Sequence, residues 1–403
     1  MVKTAYKYVI LGNGNAGFTA AKSIREQDKI GSILMISNED SLTYSRPLLT
    51  KTPLRSYDIT KTILYPKAWY DDQNIDVMLS TLIEKLDTDL KCVLCKDREI
   101  TYEKCIYALG AFNFIPPIKG SEKNEVTSIR TYKDIYNLKR LCVDAKSAVI
   151  IGGGVIGLEA AFELVRYGIK TVVLEALPML MPRLLDEGTA NMLQTSIKSF
   201  DIYTDVNVEE IYGEEKVEAV RLADGRSFPA DLVIISTGVR ANTKVAVDAG
   251  IECDRAVIIN EKAETSIKDV YACGDCCQYN GANYALWSQA TQQGKAAGIN
   301  ASGGNETMGI IDSSMVLNTE EIAIFAAGDT GKNKDLVYKT ETTDNMAPSL
   351  YGVNPTFLKS FEKRFYVNDK LVGATIVGNL AKMQEYKEEI LGIKKKEVKW
   401  YEK

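Results

Sequence analysis

Two glycine-rich turns of the same type, each directly after a short apolar run, strongly constrain how this 403-residue chain can fold. Residues 12–17 read Gly-Asn-Gly-Asn-Ala-Gly after Tyr-Val-Ile-Leu, and residues 152–157 read Gly-Gly-Gly-Val-Ile-Gly after Ala-Val-Ile-Ile. A helical pattern follows each turn, which gives the order strand, tight turn, helix. Glycine suits such a turn because it tolerates unusual dihedral angles and lets a pyrophosphate approach the amides of the helix N-terminus. Each turn is therefore a candidate dinucleotide site.

Within the two turns and around them, certain residues are expected to contact the nucleotides. An acidic residue just past the next strand is expected to bind a ribose. Glu39 fits this role in the first unit, and Glu175 fits it in the second, 18 residues beyond Gly157. Because a carboxylate favours a free 2′-hydroxyl and residues 176–178 include no arginine, the second site is predicted to prefer NADH. The candidates within the turns are Gly12, Gly14, Ala16, Gly17, Gly152, Gly154, Val155, Ile156 and Gly157.

Composition excludes several classes of protein. The chain has no apolar run of about 18 residues and no room for a signal peptide before its first strand, so we expect a cytoplasmic protein without a membrane partner. Its net charge is −5 and its basic residues are scattered, which argues against a nucleic-acid partner. The run at 394–396, Lys-Lys-Lys, is expected to be a solvated tail.

The chain has eight cysteines and no histidine. Without an export signal the cysteines are expected to be reduced thiols. Cys92 and Cys95 lie in a predicted strand, where no helix lowers a thiol pKa. Cys273, Cys276 and Cys277 lack an evident fourth ligand, so no metal site is predicted. The lack of histidine removes the commonest general base, and the chemistry must be carried by a cofactor.

The strand signals between and after the two units are short. Residues 90–110 read as strands that end at Gly110, and residues 231–238 read as a matching strand that ends at Gly238. The segment Ala-Asp-Gly-Arg at 223–226 predicts a hairpin turn. From residue 313 the pattern alternates without a nucleotide fingerprint, which indicates a smaller third domain.

The segment from Thr265 to Asp275, which ends Tyr-Ala-Cys-Gly-Asp, adds the most specific signal. The two glycine turns followed by this segment are found in the same order in the flavoprotein pyridine nucleotide-disulfide oxidoreductase superfamily, which the chain therefore resembles. Within it, the chain is similar to the group of NADH:rubredoxin oxidoreductases and the flavin domain of NADH-dependent nitrite reductase. The resemblance covers residues 5–300 well and the remainder loosely.

This resemblance implies an α/β fold with two Rossmann-like dinucleotide-binding domains, one for FAD and one for NADH, and a small α+β C-terminal domain. The NADH domain is inserted into the FAD domain. The expected boundaries are 1–116 with 241–312 for the FAD domain, 117–240 for the NADH domain and 313–403 for the C-terminal domain.

The resemblance also implies roles near the flavin. The loop Tyr-Ser-Arg-Pro-Leu-Leu-Thr-Lys at 44–51 resembles the family's Arg-Pro loop, which puts Arg46 on FAD phosphate or ribityl oxygens. Pro47 is expected against the isoalloxazine ring, with Lys51 near its N5 edge and paired with Glu159. Pro47, Lys51 and Glu159 are thus the candidate catalytic residues.

Other cofactor contacts follow from the same resemblance. Asp275 is expected on the ribityl chain, next to Gly274, and Trp287 opens a helix along the pyrimidine edge of the flavin. Strand-ending segments are expected to line the nucleotide sites at Ala108, Gly110 and Gly238.

The acceptor is constrained by the cysteines. Relatives that reduce disulfides or peroxides carry a cysteine in the first helix or near the Arg-Pro loop, whereas residues 2–91 contain none. The resemblance then implies an FAD-dependent NADH oxidoreductase that passes electrons to a small external carrier, such as rubredoxin. Two alternatives stay open: an NADH oxidase or electron-transfer component of a multi-subunit reductase, and an NADH-sensing flavoprotein that acts through partner binding. The oligomeric state is left open as well.

Overall fold

The computed structural model describes residues 2–96, 98–345 and 359–393. Up to residue 113 its elements are β1 (Val2–Leu11), α1 (Asn15–Gln27), β2 (Ile33–Ile36), α2 (Leu48–Lys51), 3₁₀ turns at Leu54–Ser56 and Ile59–Lys61, α3 (Lys67–Asp72), β3 (Ile75–Met78), β4 (Lys85–Asp87), β5 (Cys92–Cys95), β6 (Arg98–Tyr107) and β7 (Ala111–Asn113). From there to residue 248 they are β8 (Val126–Thr127), α4 (Tyr132–Leu141), β9 (Ser147–Ile151), α5 (Val155–Arg166), β10 (Lys170–Leu174), α6 (Glu187–Ser196), β11 (Asp201–Tyr203), β12 (Val208–Tyr212), β13 (Ala219–Leu222), β14 (Ser227–Pro229), β15 (Leu232–Ile235), β16 (Val239–Ala241) and α7 (Lys244–Asp248). The remaining elements are β17 (Val257–Ile259), β18 (Val270–Ala272), β19 (Cys277–Tyr279), α8 (Trp287–Ala301), β20 (Met315–Asn318), β21 (Ala323–Gly328), β22 (Lys339–Asp344), β23 (Ser360–Val367), β24 (Lys370–Gly378) and α9 (Met383–Ile390).

The first sheet has seven strands, in the order β3-β2-β1-β6-β5-β4, with β18 also paired to β6. Strands β1, β2, β3, β6 and β18 run parallel, whereas β4 and β5 pair antiparallel. The end of β1, from Tyr8 to Leu11, is at most 1% exposed, because neighbours cover both its edges and both its faces. The carboxyl ends of β1, β6 and β18 meet at one edge, which brings Gly12, Ala108 and Gly274 together.

The second sheet is parallel throughout, in the order β11-β10-β9-β15-β8. In sequence order, its strands lie between β6 and β18, which both belong to the first sheet. The antiparallel pair β7 and β16 carries the chain out of the first unit and back into it. The predicted hairpin is confirmed, since β13 and β14 pair antiparallel on either side of residues 223–226.

The third unit is an antiparallel sheet in the order β20-β21-β24-β23-β22. Helix α9 packs against it through the buried residues Tyr386 and Ile390. The predicted lysine tail at 394–396 lies outside the described residues.

The predicted fold class is confirmed, while the exact domain boundaries at 116, 240 and 312 stay predictions. Helix α1 begins at Asn15 and α5 begins at Val155, so both helices begin within the glycine turns rather than after them. The reason is local: Gly14 and Gly154 are extended N-caps whose carbonyls accept the first helical hydrogen bonds at 2.9 Å, from the amides of Phe18 and Leu158.

Candidate cofactor cleft

A cleft of about 1930 Å³ runs between the carboxyl ends of the parallel strands of the first and second sheets. Pockets for one small ligand usually measure about 300–1,000 Å³, so this cleft has room for two dinucleotides. Most of the residues that the sequence singles out line it: Gly12, Gly14, Ala16, Glu39, Arg46, Pro47, Lys51, Ala108, Gly110, Gly152, Gly154, Val155, Ile156, Glu159, Glu175, Gly238, Gly274, Asp275 and Trp287.

Both glycine turns have the same geometry. Gly12 and Gly152 have φ angles of +120° and +115°, and a Cβ on either would lie 2.1–2.2 Å from a carbonyl oxygen of the neighbouring strand end. A Cβ on Gly14 or Gly154, in contrast, would have no protein atom within 4 Å. Open space therefore lies in front of each helix N-terminus, where backbone amides favour an anion such as a pyrophosphate.

Gly17 and Gly157 lie behind the turns and are not part of the cleft wall. A Cβ on Gly17 would lie 2.2 Å from the carbonyl oxygen of Gly12, and one on Gly157 would lie 2.1 Å from that of Gly152. These two glycines let α1 and α5 pack closely on their own turns. A direct contact of either glycine with a nucleotide stays a prediction.

Glu39 and Arg46 form an ion pair on the wall of the first nucleotide site. Arg46 also donates from Nη1 to the hydroxyl of Tyr44 and to the carbonyl of Arg130, each at 2.8 Å, and the Tyr44 hydroxyl donates to Glu39 Oε2 at 2.8 Å. Burial raises the pKa of Tyr44, so this hydroxyl stays protonated. The two charged side chains thus hold each other in place. It stays a prediction that Glu39 contacts a ribose and that Arg46 contacts phosphate or ribityl oxygens of FAD.

Arg130 is a cleft residue that sequence reasoning missed. Its Nη2 donates to Oδ2 of Asp275 at 2.7 Å, and its Nε donates to the carbonyl of Ala111 at 3.0 Å. The available signal was its position directly before the capping box formed by Thr131 and Asp134, which fixes the start of α4. Asp275, predicted to bind the ribityl chain, is therefore held by an arginine from the inserted segment.

The structure brings Lys51 and Glu159 together, with Nζ 3.9 Å from Oε1. The hydroxyl of Thr50 donates to the other carboxylate oxygen of Glu159. Burial raises the pKa of Glu159, against the opposing effects of the Thr50 hydrogen bond and the Lys51 charge. Pro47 precedes α2, which carries Thr50 and Lys51, and these last two residues contact Glu159 of α5. The catalytic roles of Pro47, Lys51 and Glu159 stay predictions.

Glu175 supports the second glycine turn. Its Oε2 accepts from the amide of Gly153 at 2.7 Å, and its Oε1 accepts from the amide of Leu177 at 2.8 Å. Glu175 follows β10 and lines the cleft, and its contact with the ribose of a bound dinucleotide stays a prediction.

Trp287 begins α8, as predicted. The side-chain amide of Asn15 donates to the Trp287 carbonyl at 3.0 Å and to the hydroxyl of Thr291 at 2.7 Å, which docks α8 against the first glycine turn. Gly274 has a φ of +86°, and a Cβ there would lie 2.7 Å from the Cβ of Ala16. These contacts put the N-terminus of α8 beside the first nucleotide site.

The thiols of Cys273, Cys276 and Cys277 are fully buried. Burial raises the pKa of both Cys273 and Cys277 well above the ordinary value. Within the described ranges no group of three or more His, Cys, Asp or Glu residues is placed to hold a metal ion. In the same ranges no helix has the length and apolar character needed to cross a membrane.

A family model described as pyridine nucleotide-disulphide oxidoreductase matches residues 6–294, which include both glycine turns and Asp275. The chain belongs to this family. Membership confirms the recognised superfamily of flavoprotein oxidoreductases and its two cofactors, FAD and a nicotinamide dinucleotide.

Three similar proteins illustrate the family. The nitrite reductase [NAD(P)H] of Bacillus subtilis is 33% identical over 81% of this chain, and the assimilatory nitrate reductase electron transfer subunit of the same organism is 29% identical over 96%. The NADH-rubredoxin oxidoreductase of Clostridium acetobutylicum is 33% identical over 81% of this chain and 83% of its own length. A solved structure of the NADH:rubredoxin oxidoreductase from that organism has a TM-score of 0.78 and 29% identity, and the match covers 96% of this chain and 95% of the solved one.

The chain spans 41% and 49% of the length of the two Bacillus subtilis relatives. It therefore corresponds to part of those longer proteins and to most of the Clostridium acetobutylicum one.

The residues of this family member fit its two cofactors. Gly14 and Gly154 leave space for two pyrophosphates, and the cleft wall carries the arginines Arg46 and Arg130 in a protein of net negative charge. Glu175 offers a carboxylate rather than a cation at the second ribose position. The binding of FAD at the first turn and of NADH at the second stays a prediction.

Proposed function

We propose that this family member transfers electrons from NADH through FAD to a small electron-carrier protein, such as rubredoxin. The observation that carries the proposal is that both glycine turns open onto one cleft, and the Arg46–Lys51 loop between them contains no cysteine. When bound, FAD accepts two electrons as a hydride and releases them one at a time, which suits a one-electron carrier.

The chain's own residues supply position and charge. The turn at Gly154 and the carboxylate of Glu175 would hold the dinucleotide, and Ile156 at the start of α5 lines the cleft. The ammonium of Lys51 adds positive charge that favours a reduced, anionic ring, and Glu159 is its counter-ion.

The cysteines support an external acceptor. A disulfide or peroxide acceptor handled inside the protein needs an accessible thiol beside the ring. Residues 2–91, which include the Arg-Pro loop, have no cysteine, and Cys273, which lines the cleft, is a buried thiol with a raised pKa.

A second candidate function is electron transfer within a larger reductase. It is favoured by the alignment of 96% of this chain with the assimilatory nitrate reductase electron transfer subunit of Bacillus subtilis, of which it spans 49%. In that case the acceptor is another subunit or domain rather than a free carrier.

An anaerobic titration with NADH, followed by oxidised rubredoxin, tests the proposal. We expect about one NADH per FAD to bleach the visible flavin absorbance and rubredoxin to restore it within seconds. Reoxidation by oxygen but not by rubredoxin would favour an NADH oxidase, and no rapid reoxidation by any carrier would favour a sensing role. A protein that purifies without FAD, or FAD that NADH does not bleach, would overturn the proposal.

A further inference from the structure

The two side chains of the Lys51–Glu159 ion pair differ in their exposure to solvent. The side chain of Glu159 is 8% exposed and that of Lys51 is 45% exposed, and their closest atoms lie 3.9 Å apart. A solvated ammonium at this distance contributes little to the interaction energy. Lys51 alone therefore does not fix the orientation of the buried carboxylate.

Thr50 makes the contact that can fix the orientation of the Glu159 carboxylate. Its hydroxyl donates to Oε2 of Glu159, and in the part of the chain that the structure describes this is the carboxylate's one hydrogen bond. The two residues lie on different elements, α2 and α5, that pack together: Leu49 of α2 and Leu158 of α5 are buried in the same apolar cluster. The packing of α2 against α5 therefore holds the Thr50 hydroxyl next to the Glu159 carboxylate.

We infer that Thr50 is the positioning residue of the Lys51–Glu159 pair: its hydroxyl holds the Glu159 carboxylate in the orientation that faces Lys51. The importance of this orientation to catalysis rests on the proposed function, in which the pair lies beside the flavin. The contact itself belongs to the residues of this chain.

The charges around Glu159 indicate what the loss of the hydroxyl does. From α2, Lys51 faces the carboxylate. On its own helix the next charged group is Glu163, which is already engaged by Arg166 and by the amide of Leu54. Burial disfavours the ionised form of Glu159, and the Thr50 hydrogen bond is the larger of the two opposing effects. Without this bond the carboxylate keeps its proton to higher pH, and over that added range Lys51 has no charged partner in Glu159.

The decisive experiment is an infrared pH titration of the holoenzyme, which follows the carbonyl band of protonated Glu159 and assigns it by its loss in Glu159→Gln. In Thr50→Val the midpoint is expected to rise by about one pH unit, the shift that loss of one hydrogen bond to a charged group produces. Thr50→Ser keeps the hydroxyl and is expected to titrate like the wild type. Thr60→Val is a matched control, since Thr60 donates to the surface residue Asp58.

A second measurement connects the contact to the reaction. The pH profile of anaerobic flavin reduction by NADH is expected to shift in Thr50→Val by the same amount and in the same direction as the infrared midpoint, with Thr50→Ser unchanged. An unchanged infrared midpoint in Thr50→Val, or in Thr50→Ala if the valine variant is unstable, would overturn the inference. Failure of rubredoxin to reoxidise the flavin would count against the proposed function and leave the infrared result intact.

Discussion

Nη2 of Arg130 lies 2.7 Å from Oδ2 of Asp275, although 145 residues separate them in the chain. Arg130 follows β8 of the second sheet, and Asp275 follows β18 of the first. The pair therefore ties the inserted segment to the edge of the first sheet, at the wall of the cleft. Asp275 is the predicted ribityl contact, and Arg130 orients its carboxylate.

We expect Arg130→Met to weaken FAD binding. The change leaves Asp275 without its charged partner, and a hydrogen bond to a charged group contributes about 1.5–3 kcal/mol, so the dissociation constant of FAD should rise about tenfold or more. Reconstitution of apoprotein, followed by quenching of FAD fluorescence, measures it. Arg226→Met is the control, because Arg226 pairs with Asp224 on the surface. Equal constants for Arg130→Met and the wild type would contradict this expectation.

Gly14→Ala and Gly154→Ala should each weaken the binding of a different cofactor. A Cβ at either position meets no protein atom within 4 Å, so the melting temperature of the apoprotein should hardly change. The methyl group would occupy the space of the pyrophosphate, and we expect Gly14→Ala to lose FAD affinity and Gly154→Ala to lose NADH affinity with FAD retained. Gly17→Ala is the contrasting variant and should destabilise the fold, since its Cβ would lie 2.2 Å from the Gly12 carbonyl oxygen. FAD loss in Gly154→Ala and not in Gly14→Ala would reverse the assignment.

Glu175→Ala should reduce the preference for NADH over NADPH. It removes the carboxylate expected on the ribose diol and the acceptor of the Gly153 and Leu177 amides. We expect the ratio of kcat/KM for NADH to that for NADPH to fall about tenfold, which corresponds to about 1.4 kcal/mol. Initial rates of carrier reduction with each nucleotide give the ratio. Glu187→Gln, at an exposed glutamate outside the cleft wall, should leave it unchanged.

Asp269 should make stability depend on pH in the acid range. Hydrogen bonds from Lys104 and Lys91 lower its pKa to about 2, below the ordinary value near 4. A carboxylate with a depressed folded-state pKa stabilises the protein fully above its unfolded pKa and loses this contribution as the pH falls towards 2. We expect Asp269→Asn to cost about 1 kcal/mol in urea unfolding at pH 7, after allowance for solvent screening, and much less at pH 2.5. An equal cost at both pH values would count against the ion pairs; Asp144→Asn, at an exposed aspartate, is the control.

Sequence reasoning located the features that depend on local geometry. The turns at Gly12 and Gly152 require glycine because of their own dihedral angles, and the hairpin at 223–226 and the helix start at Trp287 are likewise local. The proximity of Lys51 and Glu159 followed from the family resemblance and not from spacing. These features account for the fold class and for the parts of the cleft wall that the glycine turns, the Arg-Pro loop and the start of α8 form.

The residues that were missed depend on contacts between distant segments. Thr50 contacts Glu159 across 109 residues and Arg130 contacts Asp275 across 145, and neither the Arg-Pro loop nor the capping box after Arg130 indicates these partners. The packing roles of Gly17 and Gly157 were also hidden, because a glycine behind a turn and one in front of it look the same in a sequence. Only the three-dimensional arrangement of helix and turn distinguishes them.

The pairing of β7 with β16 has a consequence for how such a protein can be built. Asn113 lies opposite Val239 and Ala111 lies opposite Ala241, so the chain leaves the first unit and re-enters it side by side. A segment whose two ends already touch can be exchanged as a cassette without moving the ends of its host. If the inserted segment binds the nicotinamide nucleotide, as predicted, replacing one gene fragment between these two adjoining strands would change the nucleotide preference.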